Sequence, residues 1–214
     1  MKSIREQLLL YAVTDRSWTG RQSLYEQVES ALKGGVTMVQ LREKEQDDDA
    51  FLEEAIQIKA LCHRYGVPLI INDRLPVALK SGADGIHVGA EDKPVETIRQ
   101  IAGKDFIIGA TAKTVEQAKR AQSQGADYLG VGAVFGSPTK KNAIRITKNQ
   151  LCEICSAVSI PAVAIGGIDE TNIASLKGAP IAGVAVVSAI FSKADIEAAS
   201  HNLRRAAEQV TSTF

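Results

Sequence analysis

Gln40, Arg42 and Lys44 stand at alternate positions in Val39-Gln40-Leu41-Arg42-Glu43-Lys44. In an extended segment alternate side chains share one side. An amide, a guanidinium and an ammonium therefore line one wall. The guanidinium can grip phosphate oxygens bidentately, and the ammonium adds a point charge. Surface pairing of Arg42 with Glu43, and of Lys44 with Glu45, would account for the charges but not for the glutamine. A second cluster, Gly136-Ser137-Pro138-Thr139-Lys140-Lys141, follows the apolar run Tyr128–Phe135 directly. Hydroxyls and lysines at the end of a strand suit phosphate oxygens. A solvated turn is the competing reading. Asp73 and Asp92 add two carboxylates. Mg²⁺ takes one or two carboxylates together with phosphate oxygens, so the pair suits a metal bridged to a diphosphate. General acid–base work, or plain ion pairs to Arg74 or Lys93, are the other uses. Gly166-Gly167 and Val187-Ser188 end two further apolar runs, where backbone N–H groups can hold a monophosphate. His87 ends an apolar strand and reads as a hydrogen-bonded structural histidine. His63 and His201 read as surface residues on helices. No Ser-His-Asp or zinc-ligand spacing is present.

The elements that must position these groups alternate throughout the chain. Strand-like runs are 8–14, 38–42, 69–71, 85–88, 106–110, 128–134, 162–165 and 183–187. Helix-like runs are 23–33, 49–65, 76–81, 94–102, 115–124, 148–157, 171–176 and 194–209. In the helix over 49–65, Leu52, Ile56, the stem of Lys59 and Ala60 form the expected buried face. Strand–helix alternation repeated eight times is the pattern of an α/β fold of the (β/α)₈ TIM-barrel type. An open doubly wound sheet is the alternative, but its Gly-x-Gly-x-x-Gly turn after the first strand is absent. No linker-like tract interrupts residues 1–214, which read as a single barrel domain. Active sites of such barrels lie at the C-terminal ends of the strands. Those ends carry Thr14-Asp15-Arg16, Gln40 to Lys44, Asn72-Asp73-Arg74, His87 to Asp92, Thr111 to Lys113, Ser137 to Lys140, Gly166-Gly167 and Val187-Ser188.

Composition narrows the partners. The 214 residues carry 25 basic and 25 acidic side chains, so no global field recruits nucleic acid or an anionic membrane. An anionic ligand must be caught by a local cluster. No apolar run approaches membrane-spanning length. The N-terminus leads straight into a strand and lacks the apolar core of a signal peptide. The three cysteines, Cys62, Cys152 and Cys155, are too sparse for a disulfide scaffold. The Cys152–Cys155 pair falls on a helix and reads as structural. These features suit a cytoplasmic protein.

Taken in order, Tyr11-Ala12-Val13-Thr14-Asp15, Val39 to Lys44, Ile71-Asn72-Asp73-Arg74, Gly82 to Gly89, Tyr128 to Gly132, Thr139-Lys140-Lys141, Ala164 to Ile168 and Gly183 to Phe191 resemble the thiamine phosphate synthase family over essentially the whole chain. The resemblance implies a transferase. It would join 4-amino-2-methyl-5-pyrimidinylmethyl diphosphate to a thiazole phosphate, with or without a carboxylate, giving thiamine monophosphate and diphosphate. It also implies site roles. Gln40 would touch the pyrimidine. Arg42, Lys44, Asn72, Thr111 and Lys140 would hold the diphosphate, and Arg42, Lys44, Lys140 and Thr111 would assist its departure. Asp73 and Asp92 would bind Mg²⁺ as cofactor. Ser137 and Thr139, with backbone at Gly167, Val187 and Ser188, would hold the thiazole phosphate. Small molecules would be the partners, with room for a homo-oligomer. The chain departs from the family's common residues at Ala90, Thr111, Lys113, Ser137 and Asn142. Two other functions compete: a thiazole tautomerase-like isomerase, which would not need the diphosphate cluster, and a non-catalytic phosphate-metabolite-binding barrel. The isomerase's acid–base histidine would fall near Lys113, where no histidine stands.

Overall fold

Eight short parallel strands, each paired to the next in sequence, close into a barrel when the first meets the last. They are β1 (Leu10–Val13), β2 (Met38–Leu41), β3 (Leu69–Asn72), β4 (Gly85–Val88), β5 (Ile107–Ala112), β6 (Tyr128–Gly132), β7 (Ala162–Ile165) and β8 (Gly183–Val186). The computed structural model describes residues 2–89, 91–136 and 145–211. The described helices are α1 (Ile4–Gln7), α2 (Leu24–Lys33), α3 (Asp48–Arg64), α4 (Leu75–Lys80), α5 (Val95–Ala102), α6 (Val115–Ser123), α7 (Lys148–Ser156), α8 (Ser188–Phe191) and α9 (Ile196–Thr211). Short 3₁₀ turns cover Arg16–Trp18 and Ile173–Leu176.

The strands are buried on both faces, which is why they read as apolar runs rather than alternating ones. One face points into the barrel, where Tyr11, Val13, Met38, Ile70, Tyr128, Val163 and Ala185 pack together. The other face, with Leu10, Ala12, Val39, Leu41, Leu69 and Ile71, packs against the helices. Helix starts are written in the sequence. Ser23 and Thr147 each accept from the backbone three residues on, and Glu26 and Gln150 return the bond, closing a capping box at α2 and α7.

Two readings need correction. The buried face of α3 is Phe51, Ala55, Ile58, Leu61 and Cys62, while Ile56 is 49 % exposed and Ala60 is exposed. Two apolar stripes run along this helix at helical spacing. The one with the larger anchor, Phe51, is the one buried. The N-terminus does not lead straight into β1 either. Ser3 and Glu6 cap the single-turn α1 first, and Leu8 is fully buried between α1 and β1.

Acidic residues that open two strands serve the N-terminal face of the barrel. Asp84, just before β4, accepts the backbone N–H of Leu69 at 2.7 Å and Lys59 Nζ at 2.6 Å. Asp127, just before β6, accepts the N–H of Ile108 at 2.7 Å and Arg99 Nη2 at 2.7 Å. Both belong to a Gly-Ala-Asp triplet, and both tie the start of the preceding strand to a cation on an outer helix.

Candidate active site

The C-terminal mouth of the barrel gathers the polar residues that the strands carry. At its floor a chain of hydrogen bonds crosses the interior. Gln40 Nε2 donates to the Tyr11 hydroxyl at 2.7 Å, and the Tyr11 and Tyr128 hydroxyls lie 2.7 Å apart. Tyr128 meets His87 Nδ1 at 3.1 Å, and His87 Nε2 meets Thr111 Oγ1 at 3.1 Å. Gln40 and His87 are both buried, and both tyrosines are fully enclosed. Burial pushes the Tyr11 and Tyr128 phenols well above their ordinary range, so both keep their protons. His87 is thus the hydrogen-bonded histidine expected, but its partners place it in the site.

Glycines make the room. Gly109 stands between His87 and Tyr128 in the strand register. A Cβ there would collide with the Tyr128 ring and with His87 Nδ1. A Cβ on Gly130 would press on His87 Cε1 at 3.1 Å. The light residues of β5 and β6 are therefore the space into which the two rings fit.

Above this floor the charged groups are held in place. Arg42 Nη1 donates to Asp15 Oδ2 at 3.2 Å, and Asp15 is itself fixed by the N–H of Ser17 at 2.9 Å. Glu43 turns the other way, into a buried position where it pairs with Arg16. Its second oxygen accepts the N–H groups of Lys44 at 2.6 Å and Glu45 at 2.7 Å. Burial alone would raise the Glu43 carboxyl. The Glu45 N–H, Arg16 and the Lys44 N–H outweigh it, and the net shift is downward. Arg42–Glu43 and Lys44–Glu45 surface pairing is not what the structure shows. Arg42 and Lys44 are presented by a loop that Glu43 organises from beneath.

Asp73 follows β3 in the left-handed region, with φ of 59°, the sole non-glycine residue so placed among those described. Its backbone N–H donates to His87 O at 3.0 Å, which fixes this turn to β4. Burial raises the Asp73 carboxyl, and the Asp92 carboxylate raises it further by charge and by a hydrogen bond; Asn72 and Lys44 pull it down without cancelling the effect. Asp92 is oriented by the Gly89 N–H, 2.6 Å from its Oδ2. Arg74 does not pair with Asp73. It stacks over Phe51 at 5.3 Å and donates to Gln46 O at 2.8 Å and to Asp48 at 3.0 Å. Two carboxylates pressed together, beside an ammonium and an amide, form a donor set that a small hard cation fits. Among the described residues no cluster of three or more His, Cys, Asp or Glu exists that could enclose a metal. A divalent ion here would draw its remaining ligands from water and a bound phosphate.

On the opposite rim, Gly166 and Gly167 have φ of 103° and 67°, and Asn172 Nδ2 braces Gly167 O at 2.8 Å. Val187 and Ser188 open α8 and are half-buried. Ser137, Thr139 and Lys140 lie outside the described residues. So does Ala90. The described mouth therefore unites Gln40, Arg42, Lys44, Asn72, Asp73, Asp92 and Thr111, with Gly167, Val187 and Ser188 on the β7–β8 side. Sequence reasoning did not assign Asp15, Glu43, Tyr11 or Tyr128. Asp15 and Glu43 had a signal in their position at strand ends. The tyrosines open two of the segments that carry the resemblance, but they sit inside apolar runs, which hides a polar role.

Such a mouth, with fixed cations and paired carboxylates at the C-terminal end of an α/β barrel, stands where enzymes of this fold keep their active sites. The relatives of the chain are specific. The model of a family described as thiamine monophosphate synthase matches residues 10–190. A protein of Clostridium botulinum named thiamine-phosphate synthase is 46 % identical over 195 residues, 91 % of this chain and 92 % of its own length. One of the same name from Ruminiclostridium cellulolyticum is 48 % identical over 194 residues, 91 % of this chain and 92 % of its own. The solved structure of thiamine phosphate pyrophosphorylase from Pyrococcus furiosus superposes with a TM-score of 0.90 at 36 % identity, covering 97 % of this chain and 99 % of that one. The chain belongs to the thiamine monophosphate synthase family and is an enzyme of the transferase class. A structure of 3-hexulose-6-phosphate synthase, at 16 % identity and a TM-score of 0.68, shares the fold. No described helix is long and apolar enough to cross a membrane.

Proposed function

We propose that the chain joins 4-amino-2-methyl-5-pyrimidinylmethyl diphosphate to 4-methyl-5-(2-phosphoethyl)thiazole or its carboxylated form. The C–O bond to diphosphate breaks, and diphosphate leaves with the electron pair. The thiazole nitrogen then forms the new C–N bond to the methylene carbon, giving thiamine monophosphate. The observation that supports this reading is Gln40 in the buried floor of the same mouth at which Arg42, Lys44 and the Asp73–Asp92 pair follow the ends of β2, β3 and β4. A flat heterocycle bearing a diphosphate matches that order, ring below and anion above. Gln40 meets the ring. Arg42, Lys44, Asn72, Thr111 and Lys140 hold the leaving diphosphate, and the charge they carry is most favourable as negative charge builds on it. Asp73 and Asp92 would hold Mg²⁺, which supplies further neutralisation of the leaving group. Ser137 and Thr139, with backbone at Gly167, Val187 and Ser188, hold the thiazole phosphate. The left-handed glycines let that backbone approach an anion closely. The test is to mix both substrates with Mg²⁺ and follow diphosphate release and thiamine monophosphate. Diphosphate release without thiamine monophosphate, or neither product, overturns the reading.

A further inference from the structure

The hydrogen-bond chain from Gln40 to Thr111 has an internal logic. Each hydroxyl in it has one proton, and a neutral imidazole has one donor and one acceptor nitrogen. With His87 neutral and all four links made, the chain runs in one direction or the other along its whole length. In the direction set by Gln40 Nε2, Tyr11 accepts from the amide and donates to Tyr128. Tyr128 then donates to His87 Nδ1, and His87 Nε2–H donates to Thr111 Oγ1. Two groups are left for the mouth: the Thr111 O–H as a donor and the Gln40 carbonyl as an acceptor. In the opposite direction Thr111 spends its proton on His87, and Gln40 offers its NH₂ instead. An anion beside Thr111 needs a donor, so it favours the first direction.

We propose that Tyr11, Tyr128 and His87 are positioning residues that couple the two ends of the substrate, so that an anion at Thr111 commits Gln40 to reading a hydrogen-bond donor on the ring. This rests on the functional reading above and deepens it by naming the specificity device. An aminopyrimidine diphosphate satisfies both ends. The corresponding oxopyrimidine diphosphate sets its carbonyl against the Gln40 carbonyl and is rejected. The rings that carry the chain are locked by their fit over Gly109 and Gly130 and by the edge-to-face contact of Tyr11 and Tyr128, with centroids 5.8 Å apart. Burial pushes both phenols up, so each keeps the proton its link needs near neutral pH.

The test uses binding, not turnover, because the amino group also affects the chemistry. Non-hydrolysable methylene-bisphosphonate analogues of the aminopyrimidine and oxopyrimidine diphosphates are titrated calorimetrically with Mg²⁺. The wild-type protein is expected to prefer the amino analogue by about a hundredfold or more, as a site built for a specific hydrogen bond does. Tyr128→Phe cuts the chain at its centre and frees Gln40 to turn, so the preference should shrink by about tenfold or more. A wild-type protein that binds both analogues equally, or a folded Tyr128→Phe that keeps the full preference, overturns the coupling while leaving the functional reading intact. A wild-type protein that binds neither analogue overturns both. An independent readout leaves all five residues of the hydrogen-bond chain in place. In a His63→Asn, His201→Asn variant, ¹⁵N spectra report His87 alone among the three histidines. With Mg²⁺ and inorganic diphosphate bound, the proton should reside on Nε2. Finding it on Nδ1 overturns the proposal even if Tyr128→Phe fails to fold.

Discussion

Asp73 carries both a left-handed backbone and a raised carboxyl. Burial raises the carboxyl first and the Asp92 carboxylate adds to it, while the left-handed turn is a cost tolerated where function needs the geometry. Asp73→Asn keeps a residue that accepts this conformation while removing the charge. It should raise the Mg²⁺ concentration needed for half-maximal diphosphate release and lower kcat/KM by about tenfold or more. An unchanged Mg²⁺ titration would remove the metal from this pair. Glu43 tests the loop beneath the cations. Its folded carboxyl is held below the ordinary value of 4.5, so the stability it contributes is present above that value and is lost as pH falls through the folded value. Glu43→Gln should cost about 2–3 kcal/mol at pH 7, from a carboxylate that serves several donors. The gap between wild type and variant should close in denaturation curves taken below pH 4.5. A gap that stays constant would mean that shape, not charge, is what Glu43 supplies. At this scale the sequence exposed what stands at strand ends: Gln40, Arg42, Lys44, Asp73 and Asp92. It concealed Tyr11 and Tyr128, which are 117 positions apart and meet only when the barrel closes. No local spacing records such a pair.

The strands divide their ends between two tasks. Asp84 and Asp127 close the N-terminal face, where each serves a backbone N–H and a cation. Replacing either with alanine leaves that N–H without its partner and should cost about 1–3 kcal/mol in chemical denaturation, with kcat unchanged. A drop in kcat at full occupancy of the fold would show that the two faces are coupled. Gly109 tests the other end. Gly109→Ala forces a methyl group into the Tyr128 ring and should cost about 1–3 kcal/mol and most of the activity. Gly20→Ala, where nothing lies within 4 Å, is the control and should be neutral. The elements themselves were readable. All eight strands lie within a few residues of their expected positions, because runs buried on both faces stand out from the charged helices. The α3 face was misread because its two apolar stripes differ by one position, and only tertiary packing chooses between Phe51 and Leu52. The single turns α1 and α8 are too short to show a period.

On the scale of the molecule, balanced charge leaves the mouth to attract its own ligands. Mg²⁺ with inorganic diphosphate, at about a hundred times the dissociation constant, should stabilise the fold by about 2.7 kcal/mol. A thermal melt reads this directly, and Asp73→Asn should forfeit the part that depends on Mg²⁺. Equal shifts in both proteins would place the ion elsewhere. The barrel's seam has a further effect. β1 pairs with β8, so Leu10 lies beside Val184 and Ala12 beside Val186. Tyr11 and the rim at Val187 therefore become neighbours only when the two most distant strands join. During synthesis the strands before β8 leave the ribosome with Arg42, Lys44, both carboxylates, His87 and Tyr128 already made, yet with the β1 edge unpaired and no rim at Val187. A ribosome-bound chain halted before β8 should accordingly be protease-sensitive and unable to bind diphosphate, with competence arriving in one step as the last strand is released.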